Sequence, residues 1–329
     1  MAKALSDIDI FDLKNASEFE QVALRLFCYQ YHNNTVYRSF CDLMHMHPET
    51  VKSIEKIPFL PISFFKTHRV SCIHLEAEKI FFSSTTTGQT PSKHHVHHLN
   101  IYEKSFRTNF VSQYGDPNKF AILALLPSYL ERENSSLVYM AQDLIAQSNH
   151  PKSGFYLNEW EELHKTLLTL EQQKQPTILL GVSFALLDFV EKFQLQLKHT
   201  LVMETGGMKG RRSEWVREAL HEKLKKGFGV TEIHSEYGMT ELLSQAYATK
   251  KGMFQAPPWM QVFVRSLEDP LDFLGEEKTG ALNIIDLANI ESCAFIATQD
   301  LGKRFSNNQF EVLGRFDHAE IRGCNLLAL

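Results

Sequence analysis

Sulfur chemistry is scarce in this chain. Its five cysteines (Cys28, Cys41, Cys72, Cys293, Cys324) form no C-x-x-C pair and no even framework, which excludes a disulfide-stapled scaffold. Long apolar runs are missing too. The longest, Ile178–Val190, is broken by Asp188 and is too short to span a bilayer. The opening Met1-Ala2-Lys3-Ala4-Leu5-Ser6-Asp7 leads into further acidic residues and does not read as a secretory leader. There is no fixed-period repeat and no low-complexity segment. A net charge of −5 gives no reason to expect nucleic acid or an anionic membrane as the main partner. A cytoplasmic protein with reduced thiols and no membrane span is the expectation.

What is present is the composition of an ordinary globular protein, 43% apolar and 22% charged over 329 residues. Residues 15–46 read as two helices, with Leu24, Phe27 and Tyr31 spaced for one apolar face. Phe64–Val70 reads as a strand, and His97–Tyr114 has helical spacing. From there apolar runs alternate with helices: Phe120–Leu126, then Ser135–Gln147 with Asn134 as its cap; Thr177–Val182, then Phe184–Phe193; Leu201–Met203, then Ser213–Lys225. Strands buried on both faces and separated by helices indicate a doubly wound, mostly parallel α/β sheet. Past residue 255 the texture changes to short strands at Met260–Leu267, Gly280–Ile285, Cys293–Ala297 and Gln309–Gly314. The expected organisation is an α/β core with a helical N-terminal region over 1–254, and a smaller β-rich subdomain over 255–329.

One stretch carries a chemical suggestion. Phe81-Phe82 runs into Ser83-Ser84-Thr85-Thr86-Thr87-Gly88-Gln89-Thr90-Pro91-Ser92-Lys93. Hydroxyls and free backbone N–H groups at a tight turn can wrap a phosphate chain, and a lysine adds full positive charge. It is no Walker A loop, since it lacks the first glycine and the Gly-Lys-Ser/Thr ending. Plain loop chemistry is the competing reading. Glu204-Thr205-Gly206-Gly207-Met208-Lys209-Gly210 sits between an apolar run and a helix, where glycine lets a ligand approach the backbone. A simple tight turn explains it equally well. The dense cluster His94, His95, His97, His98 has no carboxylate or cysteine within it. As a helix it would put His94 and His98 on one face; a polar face near a phosphate site fits it better than a metal site.

Further along come Ser235-Glu236-Tyr237-Gly238-Met239-Thr240-Glu241, then Thr298-Gln299-Asp300-Leu301-Gly302, then Gly314-Arg315-Phe316-Asp317. In this order the four stretches resemble the adenylate-forming superfamily of acyl-CoA synthetases. Within it, Arg322-Gly323-Cys324-Asn325-Leu326 and the chain length are similar to the acyl-protein synthetases of the bacterial luciferase fatty-acid reductase complex. The resemblance runs from about residue 55 onward. It implies the N-terminal-domain fold of that superfamily without its mobile C-terminal domain, and ATP and Mg²⁺ as cofactors. It implies that Ser83, Ser84, Thr85, Thr86, Thr87, Gly88 and Lys93 line the triphosphate. Gly206 and Gly207 would pack against the adenine, with Tyr237 and Gly238. Thr240 would meet the α-phosphate, and Glu241 would hold the metal ion. Asp300 would bind the ribose hydroxyls, Arg315 the ribose or a phosphate, and Asp317 would mark a hinge. The family loop usually reads Ser-Gly-Thr-Thr-Gly, so Thr85 departs from it, as Gln299 departs from the family's Thr-Gly-Asp.

The implied reaction activates a carboxylic acid, expected to be a fatty acid, as an acyl-adenylate and passes the acyl group to a thiol. In the luciferase-associated enzymes that thiol is a cysteine near the C-terminus, and Cys324 stands there. A thiolate is a competent acceptor from a mixed anhydride. A buried structural cysteine among Leu326, Leu327 and Leu329 is the other reading. The 24 Phe and 10 Tyr agree with an apolar acyl pocket, although a core uses them too. An acyl reductase or an acyl carrier is the expected partner. Two alternatives stand beside this one: an aryl- or acyl-CoA ligase or carrier-protein acylase, and a non-catalytic nucleotide-binding or scaffold subunit.

Overall fold

The computed structural model describes residues 9–84, 90–127, 134–206 and 216–316. The chain packs as two compact units, one over Ala77–Gln255 and one assembled from Met1–Glu76 with Ala256–Leu329. The discontinuous unit begins with α1 (Ala16–Asn33), whose N-terminus is closed by Asn15 accepting the Glu18 N–H. Phe19, Val22, Ala23, Leu26, Phe27 and Gln30 form its buried face at helical spacing. Asn34 ends α1 and caps α2 (Thr35–Leu43) by accepting the Tyr37 N–H. β1 (Leu60–Pro61) and α3 (Phe64–Thr67) follow. Phe64–Val70, read from sequence as a strand, is therefore corrected to one helical turn. The turn sends Phe65 into the core and stacks Phe64 on His68 at 5.1 Å, an i,i+4 contact that a strand cannot make.

The Ala77–Gln255 unit opens with a hairpin of β2 (Lys79–Phe82) and β3 (Lys93–Val96), then α4 (Leu99–Tyr114). The α/β alternation is β4 (Ala121–Leu125), α5 (Ser136–Ser148), β5 (Gly154–Phe155), α6 (Trp160–Gln172), β6 (Thr177–Val182), α7 (Ser183–Lys192), β7 (Thr200–Thr205), α8 (Arg217–Phe228) and β8 (His234–Tyr237). Two short strands, β9 (Ala246–Ala248) and β10 (Met253–Gln255), complete it. Within this unit the strand order is β10-β9-β8-β7-β6-β4-β5, parallel from β5 to β8 and antiparallel at β9 and β10. Every residue of β4 and β6 is buried, as continuous apolar runs demand of strands covered on both faces. The cap of α5 is Ser135, whose hydroxyl accepts the Val138 N–H, and not Asn134. Asn134 is used differently: its carbonyl accepts the Phe82 N–H at 2.8 Å.

The chain then returns to the first unit with β11 (Met260–Arg265), β12 (Phe273–Leu274), β13 (Gly280–Asp286), β14 (Phe295–Phe305) and β15 (Gln309–Arg315). They form an antiparallel array in the order β12-β11-β13-β14-β15, with β1 adding parallel to β14. The helical N-terminal region, grouped from sequence with the α/β core, is tied here instead. Gln30 gives its amide hydrogens to the Asn289 and Ile290 carbonyls at 2.7 and 3.0 Å and accepts the Ala294 N–H at 3.0 Å. Asn34 donates to the Ser292 carbonyl at 2.9 Å. No described helix is long and apolar enough to cross a membrane.

Candidate active site

Parallel α/β sheets bind ligands outside the carboxyl ends of their strands, where helix N-termini and turns converge. In the Ala77–Gln255 unit those ends include Val182-Ser183, Thr205-Gly206 and Tyr237-Gly238. Gly206 has φ of +66°, a backbone conformation that favours glycine, and its carbonyl accepts the Ser183 hydroxyl at 2.8 Å. Ser183 also donates to Glu204 at 3.0 Å. Burial alone would raise the Glu204 carboxyl, but His221, Arg217 and Ser235 together hold it below the usual range. Glu204 is thus a charged brace beneath the glycine turn. Gly207 lies outside the described residues.

The hydroxyl-rich stretch lies in sequence between the paired strands β2 and β3. Its neck is closed by Ser83, which donates its N–H to the Ser92 carbonyl at 3.1 Å while its Oγ accepts the Ser92 N–H at 2.9 Å. Phe81 anchors the hairpin from below, packing on Tyr102 at 5.5 Å and Tyr139 at 5.7 Å. Ser84 is exposed just beyond the neck, and Lys93 is exposed opposite Phe82. Thr85, Thr86, Thr87 and Gly88 lie outside the described residues.

The histidine cluster takes a form the sequence reading did not give it. His94 and His95 belong to β3, so burial alternates: His94 and Val96 point inward, Lys93 and His95 do not. His94 and His98 therefore share no helix face. His94 is 1% exposed, and its Nδ1 lies 2.8 Å from the Thr240 carbonyl. Burial pushes its imidazole down to about 4, so at neutral pH the ring is uncharged and gives its single N–H to that carbonyl. This bond ties the strand leaving the hydroxyl turn to the Thr240–Glu241 peptide. Sequence reasoning missed it because no local pattern marks a contact between residues so far apart in the chain.

After β8 the backbone enters no helix. Residues 238–245 form turns that lead to β9. Tyr237 is buried with its ring 5.7 Å from Phe254, Thr240 is half-buried, and Glu241 is 4% exposed. A Cβ on Gly238 would lie 2.5 Å from Glu236 Oε1, so a side chain there would require the Glu236 carboxyl to shift. Among the described residues, no group of three or more His, Cys, Asp or Glu side chains is arranged for a metal ion. A single carboxylate is nonetheless the donor set that suits Mg²⁺ in phosphate chemistry, where one or two carboxylates and the phosphates themselves supply the oxygens.

In the other unit, Asp300 and Arg315 face each other across β14 and β15, with Arg315 Nε 3.3 Å from Asp300 Oδ1. Asp300 is 7% exposed, and its N–H donates to Thr298 Oγ1 at 3.1 Å. Gln299 sits in extended β-strand, a conformation that asks for no glycine. Behind the pair, the buried Arg265 donates to the Leu282 and Thr298 carbonyls and to Asn283 Oδ1 and covers the Phe316 ring at 5.9 Å. Burial lowers its guanidinium to about 10. Asp317 and Cys324 lie outside the described residues.

Comparison with known proteins decides the family. A model of the acyl-protein synthetase, LuxE, family matches residues 11–328. The chain belongs to that family. Curated relatives include the long-chain-fatty-acid–luciferin-component ligases of Aliivibrio fischeri and Vibrio harveyi. The first is 22% identical and covers 86% of this chain and 78% of its own length. The second is 24% identical, with 83% and 76% covered. Among solved structures, a 2-hydroxyisobutyryl-CoA ligase in complex with its acyl-AMP and CoA superposes with a TM-score of 0.67 at 12% identity, covering 94% of this chain and 76% of that one. ATP-bound MatB from Rhodopseudomonas palustris gives 0.54 at 17% identity, covering 72% of this chain. The chain spans about half the length of that protein, 47%. These likenesses establish the adenylate-forming α/β fold for this acyl-protein synthetase family member.

Proposed function

We propose that this protein activates a carboxylic acid, a fatty acid in the first instance, with ATP and passes the acyl group to a protein cysteine. In the first half-reaction a carboxylate oxygen attacks the α-phosphorus. The bond to the β-phosphate oxygen breaks, and acyl-AMP and pyrophosphate result. In the second, a thiolate attacks the acyl carbon, AMP leaves with the carboxyl oxygen, and a thioester remains. The observation that carries this reading is the His94–Thr240 bond, which joins the hydroxyl-rich hairpin to the Glu241 loop at the strand ends. An anionic chain held by the hairpin and a carboxylate poised on the loop are the parts that phosphoryl chemistry needs.

Ser83, Ser84, Thr85, Thr86, Thr87, Gly88 and Lys93 are proposed to surround the β- and γ-phosphates. Gly206, Gly207, Tyr237 and Gly238 would flank the adenine, with Thr240 on the α-phosphate and Asp300 and Arg315 on the ribose. Glu241 would hold Mg²⁺, which when bound supplies charge neutralisation at the phosphates. The acceptor is assigned to Cys324, and an acyl reductase or an acyl carrier is the expected downstream partner. The setting proposed for this chemistry is the cytoplasm.

Cys324→Ser tests the assignment, because serine keeps the size and loses the thiolate. With ATP, Mg²⁺ and a fatty acid, acyl-AMP should still form and be seen by mass spectrometry. The hydroxylamine-labile acyl-protein should vanish. If the serine variant still carries the label, Cys324 is not the acceptor, and a CoA or carrier-protein acceptor takes its place. Absence of acyl-AMP from the unmodified protein with every acid, despite ATP binding, would point to a non-catalytic nucleotide-binding subunit.

A further inference from the structure

Within the Ala77–Gln255 unit, α4, β7, β8 and β9 enclose a buried polar layer that the chemistry above does not use. Glu236 and Tyr247 are directly opposite on β8 and β9, so their side chains stand on one face. That face meets α4, with Tyr114 5.3 Å and Phe110 6.5 Å from Tyr247. Asn109 of α4 donates to the Gln245 carbonyl at 2.7 Å, and the Ser105 and Ser244 hydroxyls pair at 3.0 Å. The Thr205 hydroxyl donates to the Glu236 carboxylate.

The layer is not satisfied. Asn109 Oδ1, Gln245 Oε1 and the Tyr247 hydroxyl are buried without a hydrogen-bond partner. Their residues are 1%, 4% and 1% exposed. Buried polar atoms are almost always paired, so three orphans in one layer ask for an occupant. The position is telling as well. The same Gly238 that belongs to the candidate active site is flanked by this layer: a Cβ there would lie 2.5 Å from Glu236 Oε1 and 3.4 Å from Gln245 Cγ. The sign of the missing partner also follows. The Asn109 and Gln245 amide oxygens can only accept and the Tyr247 hydroxyl can accept as well as donate, so a group that meets the two amides must donate. Burial pushes Glu236 up to about 7, as expected of a carboxyl that lacks a fixed cation.

We propose that this layer recognises a hydrogen-bond donor, a hydroxyl or amino group, carried on the chain of the carboxylic acid that the protein activates. The inference rests on the adenylation reading and narrows it from fatty acids at large to donor-substituted ones. A plain alkyl chain laid against the layer would leave all three atoms unpaired, and sites built to bond a donor reject analogues that lack one.

The full-length protein is supplied with ATP, Mg²⁺ and sets of acids of matched chain length: unsubstituted, hydroxy, amino and methoxy, with the substituent moved along the chain. Acyl-AMP is identified by mass spectrometry, and kcat/KM is followed by pyrophosphate release. At one position the hydroxy or the amino acid should exceed both the unsubstituted and the methoxy acid by about 10- to 100-fold. Methoxy accepts but cannot donate, so it separates donor recognition from simple polarity. In Tyr247→Phe and Gln245→Met the donor-to-unsubstituted ratio should shrink by about tenfold. Unsubstituted acids that equal or beat the donor-bearing ones at every position would overturn the inference, with the orphans then met by buried water, while their acyl-AMP upheld the adenylation reading. No acyl-AMP from any acid would overturn both. The acid panel on the unmodified protein decides the matter even if a variant does not fold.

Discussion

Gln30 and Asn109 are both fully buried amides on helices, one in each unit, and they are treated in opposite ways. Gln30 spends its whole side chain on backbone: both amide hydrogens and the oxygen are engaged with Asn289, Ile290 and Ala294. Asn109 donates once, to the Gln245 carbonyl, and its oxygen is left without a partner. Arg265 repeats the first pattern, with a guanidinium distributed over two carbonyls and an amide oxygen. Tyr247 repeats the second, with its hydroxyl left unpaired. A buried polar group with every valence met is committed to the fold, since its loss costs stability. In the layer around Tyr247 the valences left over are the ones proposed above to take a donor from a ligand. Of the two amides, Gln30 is spent on holding strands together, and Asn109 keeps an acceptor for the ligand group proposed above.

The sharpest way to break that contrast is at the loop after β8. Glu241→Gln should lower acyl-AMP formation by on the order of 10²-fold or more, with the thermal midpoint unchanged, because one charge is lost at constant volume. Near-normal adenylation in that variant would remove Glu241 from the metal role. In the discontinuous unit the opposite outcome is expected. Gln30→Leu strands two carbonyls and one N–H, costing about 3 kcal/mol in urea denaturation, while the folded fraction adenylates at the normal rate. If instead Gln30→Leu lowered kcat without a shift in midpoint, the contrast between the two amides would fail.

The difference between the units also explains what the sequence did and did not disclose. β4 and β6 were readable because a strand buried on both faces writes itself as an unbroken apolar run; Thr177–Val182 matches its run end to end. β14 was readable only at its start. It continues to Phe305 through Asp300, Lys303 and Arg304, where one face is wet and apolar runs stop. The helices at the front of the chain looked like part of the α/β core, because nothing local shows that Gln30 and Asn34 bond to residues 289–294. The order of the four motifs gave the family, and the LuxE match bears that out. His94 and the layer around Glu236 and Tyr247 stayed hidden, since each is made by residues from separate elements and neither has a period.

His94 lies between the two behaviours, a buried group whose Nδ1 is paired to the candidate site. His94→Ala would leave the Thr240 carbonyl without its donor and free the hairpin from the loop. A fall of about tenfold in kcat/KM for ATP is expected, with a smaller change in stability than Gln30→Leu gives. A loss of stability without any change in kcat/KM would make the bond part of the fold alone.

The finest test uses pH, because a carboxyl buried beside unpaired acceptors must reveal itself there. Glu236 is held up to about 7 against an ordinary 4.5, with burial as the main cause and Glu204 adding to it. A folded pKa above the unfolded one means that this group's contribution is most favourable below about 4.5 and is lost as pH rises through 7. Between pH 6 and 8 that loss is about 1 kcal/mol. His94 and His234, both pushed down to about 4 by burial, act with the opposite sign: their contributions are present above about 6.5 and lost as pH falls through 4. The whole protein therefore shows only the sum. Glu236→Gln isolates the carboxyl, since the amide keeps the shape, can still accept from Thr205, and does not titrate. Urea denaturation of both proteins at pH 6 and pH 8 should show the variant gaining on the parent by about 1 kcal/mol at the higher pH. A constant difference would mean that Glu236 keeps an ordinary carboxylate, with a cation or water meeting it in solution, and the layer could no longer be described as short of donors.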